Sequence, residues 1–365
     1  MSEWQTFCLK DLGKIVGGAT PSTNNPKNYG NKIAWITPKD LSTLQGRYIK
    51  KGSRSISRLG FKSCSCVLLP KHAILFSSRA PIGYVAIAKK RLCTNQGFKS
   101  IIPNKKIYFE FLYYLLKYHK DNISNIGGGT TFKEVSGATL GLFKVKIPPT
   151  YYEQQKIART LSILDQKIEN NHKINELLHT LAYKIYEYYF KYKPKNAKLE
   201  QIIIENPKSS IMVKNAQKTQ DKYPFFTSGD NILSYPKAII DGRNCFLNTG
   251  GNAGIKFYVG KASYSTDTWC ICANEFSDYL YLLLSSIKTH INQSFFQGTS
   301  LKHLQKNLLK KYPIYMPSAH EIKKFNQIIM PLLTLISINT RISKKLEQIR
   351  DFLLPLLLTQ QVKPQ

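Results

Sequence analysis

Between Tyr151 and Tyr192 apolar residues recur at steps of three and four, and the same pattern returns 168 residues later. Ile157, Leu161, Leu164, Ile168, Asn171, Ile174, Leu178, Leu181 and Ile185 fall on Phe325, Ile329, Leu332, Ile336, Asn339, Ile342, Leu346, Ile349 and Leu353. The steps run 4, 3, 4, 3, 3, 4, 3 and 4, a coiled-coil seam with one short step around a polar residue. Each copy predicts a helix of roughly 40 residues, about 60 Å long. A lone helix with such a stripe must bury it, and the matching stripe is the other copy. The two helices are therefore expected to pack on each other within the chain, antiparallel about a pseudo-two-fold axis. Asn171 and Asn339 then sit near mid-seam, where a buried Asn fixes register.

The flanking segments read differently. Residues 33–36, 67–70, 73–76 and 84–88 are short apolar runs of the buried-strand type, and 108–118 has helical spacing. Between them lie turn-rich loops at 17–22, 37–40, 77–83, 94–98 and 127–132. Pro148-Pro149 closes this domain, and residues 194–318 replay it in shorter form. There 246–254 answers 75–83, 265–269 answers 94–98, 279–291 answers the 108–118 helix, and 297–302 answers 128–133. The expected order is a first globular domain (1–150), a first helix (151–193), a second domain (194–318), a second helix (319–361) and a tail (362–365). The fold class is α+β: two mixed α/β domains joined by two long antiparallel helices in an intramolecular coiled coil, with a pseudo-two-fold internal repeat.

Charge narrows the partner. Lys and Arg total 53 against 22 Asp and Glu, a net charge of +31. Such a chain seeks polyanions, with nucleic acid first and an acidic membrane surface second. An AT-rich genome would also yield a chain rich in Lys, Asn and Ile. Only nine of the basic residues are Arg; Lys suits phosphates, and Arg is the better base reader. Seven Cys and no secretory signal at the start point to free thiols in a reducing cytoplasm. Cys64/Cys66 and Cys270/Cys272 are spaced as on one face of a strand, not as zinc ligands, so no metal is expected. The longest uncharged run, 325–340, is too short and polar to span a bilayer.

Catalytic signals are weak. No G-x-x-x-x-G-K-[ST] stretch indicates an ATP motor. Asn206-Pro207-Lys208 falls short of the Asn-Pro-Pro-aromatic motif of DNA amino-methyltransferases. Asp165-Gln166-Lys167 has a nuclease-like look but lies in the coiled-coil pattern, where charges are ordinarily a solvated face. The expectation is a non-catalytic chain that needs no cofactor.

The residues Gly17-Gly18-Ala19-Thr20-Pro21-Ser22, Ala34-Trp35-Ile36-Thr37-Pro38-Lys39-Asp40-Leu41, Ser77-Ser78-Arg79-Ala80-Pro81-Ile82-Gly83 and Thr94-Asn95-Gln96-Gly97-Phe98 occur in a telling order. With Glu153-Gln154-Gln155-Lys156-Ile157-Ala158 and Ile168-Glu169-Asn170-Asn171, this order resembles the specificity subunit of type I restriction–modification enzymes. The resemblance spans the whole chain. It implies two target-recognition domains, each reading half of a split sequence in double-stranded DNA. It implies paired helices that set the gap, two docked methyltransferase subunits, and restriction/motor subunits joined through the complex. The second half departs from the pattern, because Asn248-Thr249-Gly250-Gly251 lacks an Arg at the Arg79 position. Asp267 stands near the place of Gln96. A type IIB-like recognition subunit shares this layout, and a scaffold with nonspecific DNA affinity is the alternative from another class.

Candidate DNA contacts follow from loop position and side-chain chemistry. Arg79 is set for a guanine or phosphate, against the plainer role of a surface salt bridge. Asn95 and Gln96 are set for adenine, or for capping the turn. Thr130, Thr131 and Lys133, with Thr299, Ser300 and Lys302, lie in matching Gly loops, where backbone can approach DNA or simply form a linker. Lys39 is a phosphate candidate or a solvated Lys. Thr20 and Ser22 are weaker, and Asn248, Thr249 and Asn252 rest on the repeat.

Overall fold

The computed structural model describes residues 3–128, 133–216 and 222–364. The chain divides into two compact units: Met1–Asn170 with Ser343–Gln365, and Asn171–Ile342. Thr130 and Thr131 lie outside the described residues.

In the first unit, Gly13–Gly17, Lys99–Pro103, Ile74–Ser78, Ile82–Ala88 and Tyr48–Ile49 form a five-stranded sheet in that order. A three-stranded sheet follows the order Arg54–Ile56, Tyr29–Ile36, Cys93–Thr94, and Tyr29–Ile36 runs parallel to Cys93–Thr94. Gln5–Cys8 pairs with Lys144–Ile147. The helix Phe109–Asn125 buries Phe111, Leu112, Tyr114 and Leu115 in the same core as Ile74, Phe76 and Ile101.

The second unit repeats this plan. Ile204–Glu205, Thr268–Cys272, Arg243–Asn248 and Ile255–Val259 form the larger sheet, one strand shorter than its counterpart. Leu233–Tyr235, Tyr223–Phe226 and Ser263–Tyr264 form the smaller one, again with one parallel pair. Ala197–Lys198 pairs with Pro313–Ile314. The α+β class and the internal duplication expected from the sequence are both observed.

The long helices run Tyr151–Tyr186 and Ala319–Leu358. Each opens on a capping box. Glu153 N donates to Thr150 Oγ1 (3.2 Å) and Thr150 Oγ1 to Glu153 Oε2 (3.1 Å); Ser318 N and Oγ both donate to Glu321 Oε2 at 2.9 Å. Such boxes satisfy amides that the first helical turn leaves open. In the first unit Ile157, Ala158 and Leu161 share a core with Leu354, Leu357 and Leu358. In the second, Phe325, Ile329 and Leu333 share one with Ala182, Tyr186 and Phe190. In both units the start of one helix meets the end of the other, which makes the pairing antiparallel.

Four details differ from expectation. The seam is buried over the first half of each copy only: Ile174 and Leu181 are 43% and 49% exposed, and Ile342 and Ile349 are 47% and 39% exposed. Asn339 is buried and donates to Asn175, one turn beyond Asn171, at 3.0 Å. Asp165 is no solvated surface charge: it is buried, accepting from Tyr114 Oη (2.5 Å) and Arg350 Nη1 (2.7 Å). Cys64 and Cys66 lie in a loop, and residues 67–70 make only an isolated bridge from Leu69 to Leu92, because Val67 is exposed and gains nothing from pairing.

One arginine in each unit ties globular domain to long helix. Arg47, buried, donates to Glu110 Oε1 (2.9 Å) and Glu169 Oε1 (3.2 Å). Burial works against its charge, but Tyr114, Glu169, Glu110 and Asp165 outweigh that and hold its pKa above the ordinary value. Arg243 forks onto buried Asp278 and donates to Thr334 Oγ1 at 2.9 Å. Burial pushes the Asp278 carboxyl up, and Arg243 opposes it. Glu110 and Asp278 are themselves 168 residues apart.

Candidate nucleic-acid interface

In the first unit four loops converge. Gly18 N donates to Phe98 O (3.4 Å) and Ala19 N to Thr94 O (3.1 Å), laying loop 17–22 on loop 94–98. Gly18 is required here, since a Cβ would lie 2.0 Å from Asn95 O. Ser78 N donates to Gly97 O (2.8 Å) and Val135 N to Ser78 O (3.0 Å), adding loops 77–83 and 127–135. A Cβ on Gly97 would meet Pro38 at 2.9 Å, which brings the Lys39 turn alongside.

The second unit uses the same ladder. Thr249 N donates to Asp267 O (3.3 Å) and Leu304 N to Thr249 O (2.9 Å). The Gly loops match as well. Gly128 bridges Glu134, and Gln297 pairs with His303, both contacts shifted by the 169 residues read from the sequence. The loops therefore occupy equivalent places, while their side chains differ.

The candidates divide accordingly. Thr20 donates its hydroxyl to Gln96 Oε1, and both residues are exposed at the rim. Ser22 and Lys39 are exposed beside them, with Ser22 Oγ accepting from Asn24 N at 3.3 Å. Lys133 is exposed next to Glu134. Asn95 takes the turn-capping role, accepting from Gly97 N at 3.0 Å. Arg79 pairs with Glu134 at 3.4 Å, and Lys99 meets the same carboxylate at 3.3 Å.

In the second unit Thr299, Ser300, Lys302 and Asn252 are exposed at the rim. Thr249 Oγ1 is occupied by Asp267 O at 2.8 Å. Asn248 is buried, donating to Asn252 O (3.1 Å) and accepting from Lys256 Nζ (3.0 Å). It clasps its own loop and presents nothing to a ligand.

Sequence reasoning passed over the arginine ties and a stacked arginine. Arg54 lies 4.1 Å from the Tyr29 ring centroid and 5.8 Å from that of Trp35. The equal spacing of Glu110 and Asp278 was the available signal for the ties. For Arg54 the signal was alternation, since it sits opposite Trp35 in the sheet. No group of three or more His, Cys, Asp or Glu among the described residues is placed to hold a metal. No helix among them is long and apolar enough to cross a membrane.

A duplicated pair of loop-bearing domains, each built on a shared helical stem, defines a two-headed recognition protein. Comparison with known families supplies the class. The type I restriction modification DNA specificity domain matches residues 1–180 and again 195–348. The chain is 33% identical over 402 residues to the specificity subunit of the type I restriction enzyme MjaIX from Methanocaldococcus jannaschii, covering 97% of this chain and 92% of that one. It is 30% identical over 177 residues to the HindI specificity subunit of Haemophilus influenzae, covering 46% of this chain and 37% of the relative. The crystal structure of a type I restriction–modification S subunit from M. genitalium superimposes with a TM-score of 0.64 at 17% identity, covering 98% of this chain and 96% of that one. This chain belongs to the type I restriction–modification DNA specificity family.

Proposed function

We propose that the protein is the non-catalytic DNA-recognition subunit of a restriction–modification complex, and that each globular domain reads one half of a split target. The observation that carries this reading is the recurrence of one loop ladder in both units with different side chains on its rim. Equivalent loops with unlike chemistry suit two heads that read unlike half-sites. The net charge of +31 supplies the sequence-independent attraction to phosphates, and the exposed Thr, Ser, Gln and Lys of the rim supply base and phosphate contacts.

The long helices act as the spacer between heads and as the seat of two methyltransferase subunits, with restriction/motor subunits joining through the complex. Supporting this, Leu177, Leu181, Tyr188 and Tyr192 on the first helix are 70%, 49%, 85% and 82% exposed. The second copy carries its own open stripe at Ile342, Ile349 and Phe352. Two like stripes fit two like partners.

Selection of the full chain, assembled with methyltransferase subunits, from random duplexes tests the proposal. The expected result is a split motif of fixed gap. Binding with no preferred site, weakening uniformly with salt, would assign a scaffold role instead. Lengthening both helices by a turn should widen the gap; an unchanged gap would rule out the spacer role.

A further inference from the structure

We infer that Arg54 reads a guanine in the half-site taken by the first globular domain, a role that rests on the recognition function proposed above. The chain has nine arginines, and five are engaged elsewhere. Arg47, Arg243 and Arg350 hold largely buried ion pairs, Arg79 meets Glu134, and Arg341 donates to Val259 O. Arg54 is exposed, and no carboxylate among the described residues pairs with it. Its partners are aromatic.

Those rings are not incidental surface. Trp35 Nε1 donates to Ala19 O (3.0 Å), and Tyr29 Oη donates to Pro21 O (2.9 Å). The two aromatics thus hold the loop that carries Thr20 and Ser22, and Arg54 stacks on them. The backbone beside it is also fixed. Asp40 accepts from Ser53 N (2.7 Å) with one oxygen and from Thr37 N (2.8 Å) with the other, joining the start of the Arg54 strand to the Lys39 turn. Burial opposes the Asp40 charge, but these donors hold its carboxyl below the ordinary range.

Stacking leaves the in-plane donors of a guanidinium free and restricts the plane they occupy. That is the requirement for a two-pronged bond to guanine N7 and O6. A phosphate contact needs neither stacking nor a fork, and Lys would serve. The second unit has no equivalent. Register places Leu233 opposite Phe225, as Arg54 lies opposite Trp35, so the corresponding strand position is apolar. The feature belongs to one head, as different half-sites require.

The test is site selection with the full chain assembled with methyltransferase subunits, comparing wild type, Arg54→Lys and Arg54→Gln. Both variants should lose preference for guanine at one position of one half-site, roughly ten- to hundredfold. The other half-site should be unchanged, which reports an intact fold. Arg54→Lys should keep the salt dependence of wild type. A uniform loss across sequences in Arg54→Gln, with a salt slope reduced by about 0.9, would mark a phosphate contact and overturn the assignment. Loss at both half-sites, or at neither, overturns it too. A wild type that selects no motif removes the recognition function itself, and Arg54 falls with it.

Discussion

Asn339 on the second long helix donates its side-chain amide to Asn175 on the first, at 3.0 Å, while Asn175 Nδ2 lies 3.4 Å from Thr340 Oγ1. A polar pair in an apolar seam stabilises little but penalises every other register. Asn175→Leu removes the acceptor used by Asn339 and should cost about 1–3 kcal/mol. The double variant Asn175→Leu/Asn339→Leu should recover that loss, because both polar groups are gone. Thermal unfolding of the three proteins checks this, and light scattering of the double variant should show mixed association. A double variant as unstable as the single one would mean the pair does not act as a unit.

Arg47 is the stronger structural tie. Its removal strands Glu110 and Glu169 beside buried Asp165 with no cation at their centre. Arg47→Ala is expected to destabilise by about 3–5 kcal/mol. Arg47→Lys should rescue only part, since one ammonium cannot serve carboxylates through several fixed donors. Arg243→Ala should cost less, because Arg243 is more exposed, at 17% against 3%. Denaturant midpoints rank the three, and an Arg243→Ala loss larger than that of Arg47→Ala would contradict the assignment.

These ties mark where the sequence was legible. The 168-residue offset exposed the helices because a seam repeats every turn and tolerates few substitutions in its buried half. The same offset located the loops, since Gly18, Gly97 and Gly254 sit where a side chain would strike neighbouring atoms. What did not show was which seam positions a neighbour covers. Ile174 and Leu181 read like Ile157 and Leu161, yet only the latter meet a core. Site chemistry was less legible still. Asn248 and Asn95 look like base readers in a string of letters, but their amides close their own loops. Arg54 looked like any charged residue until its aromatic bed was visible.

Adjacent glycines separate loop geometry from general flexibility. A Cβ on Gly17 meets nothing within 4 Å, whereas one on Gly18 meets Asn95 O at 2.0 Å and Thr94 O at 2.5 Å. Gly17→Ala should leave stability within about 0.5 kcal/mol of wild type. Gly18→Ala must push loop 17–22 off loop 94–98 and separate Thr20 from Gln96. Its expected signature is lost preference in one half-site with the other retained, read by site selection. Equal behaviour of the two variants would mean the close approach of these loops is unimportant.

The cap of the second long helix gives a pH signature. Glu321 accepts from Lys193, Ser318 and Tyr315, and these bonds, Lys193 first, lower its pKa to about 2 from 4.5. A carboxylate lowered on folding stabilises above its unfolded value, and that contribution is lost as pH falls from about 4.5 to about 2. The group is largely solvated, so the effect should stay below about 1 kcal/mol at neutral pH. Glu321→Gln keeps a capping side chain but not the charge. Its stability should fall short of wild type at pH 7 and equal it near pH 2. A difference that persists in acid would place the effect in packing, not charge.

The open stripes make the last prediction. Leu177 is 70% exposed and Leu181 49% on the first helix, so neither has much burial to lose in the free chain. Leu177→Lys/Leu181→Lys should therefore shift stability by no more than about 0.5 kcal/mol per site. Two lysines on an apolar docking face must be desolvated without partners when a methyltransferase subunit seats there, a penalty of several kcal/mol. Because the second helix carries a separate stripe at Ile349 and Phe352, changing one copy should leave the other usable. Native mass measurement should then show one bound methyltransferase subunit in place of two. Adding Phe352→Lys should remove the second. Full occupancy in the triple variant would show that these stripes are not the docking faces, and would turn attention to the globular domains.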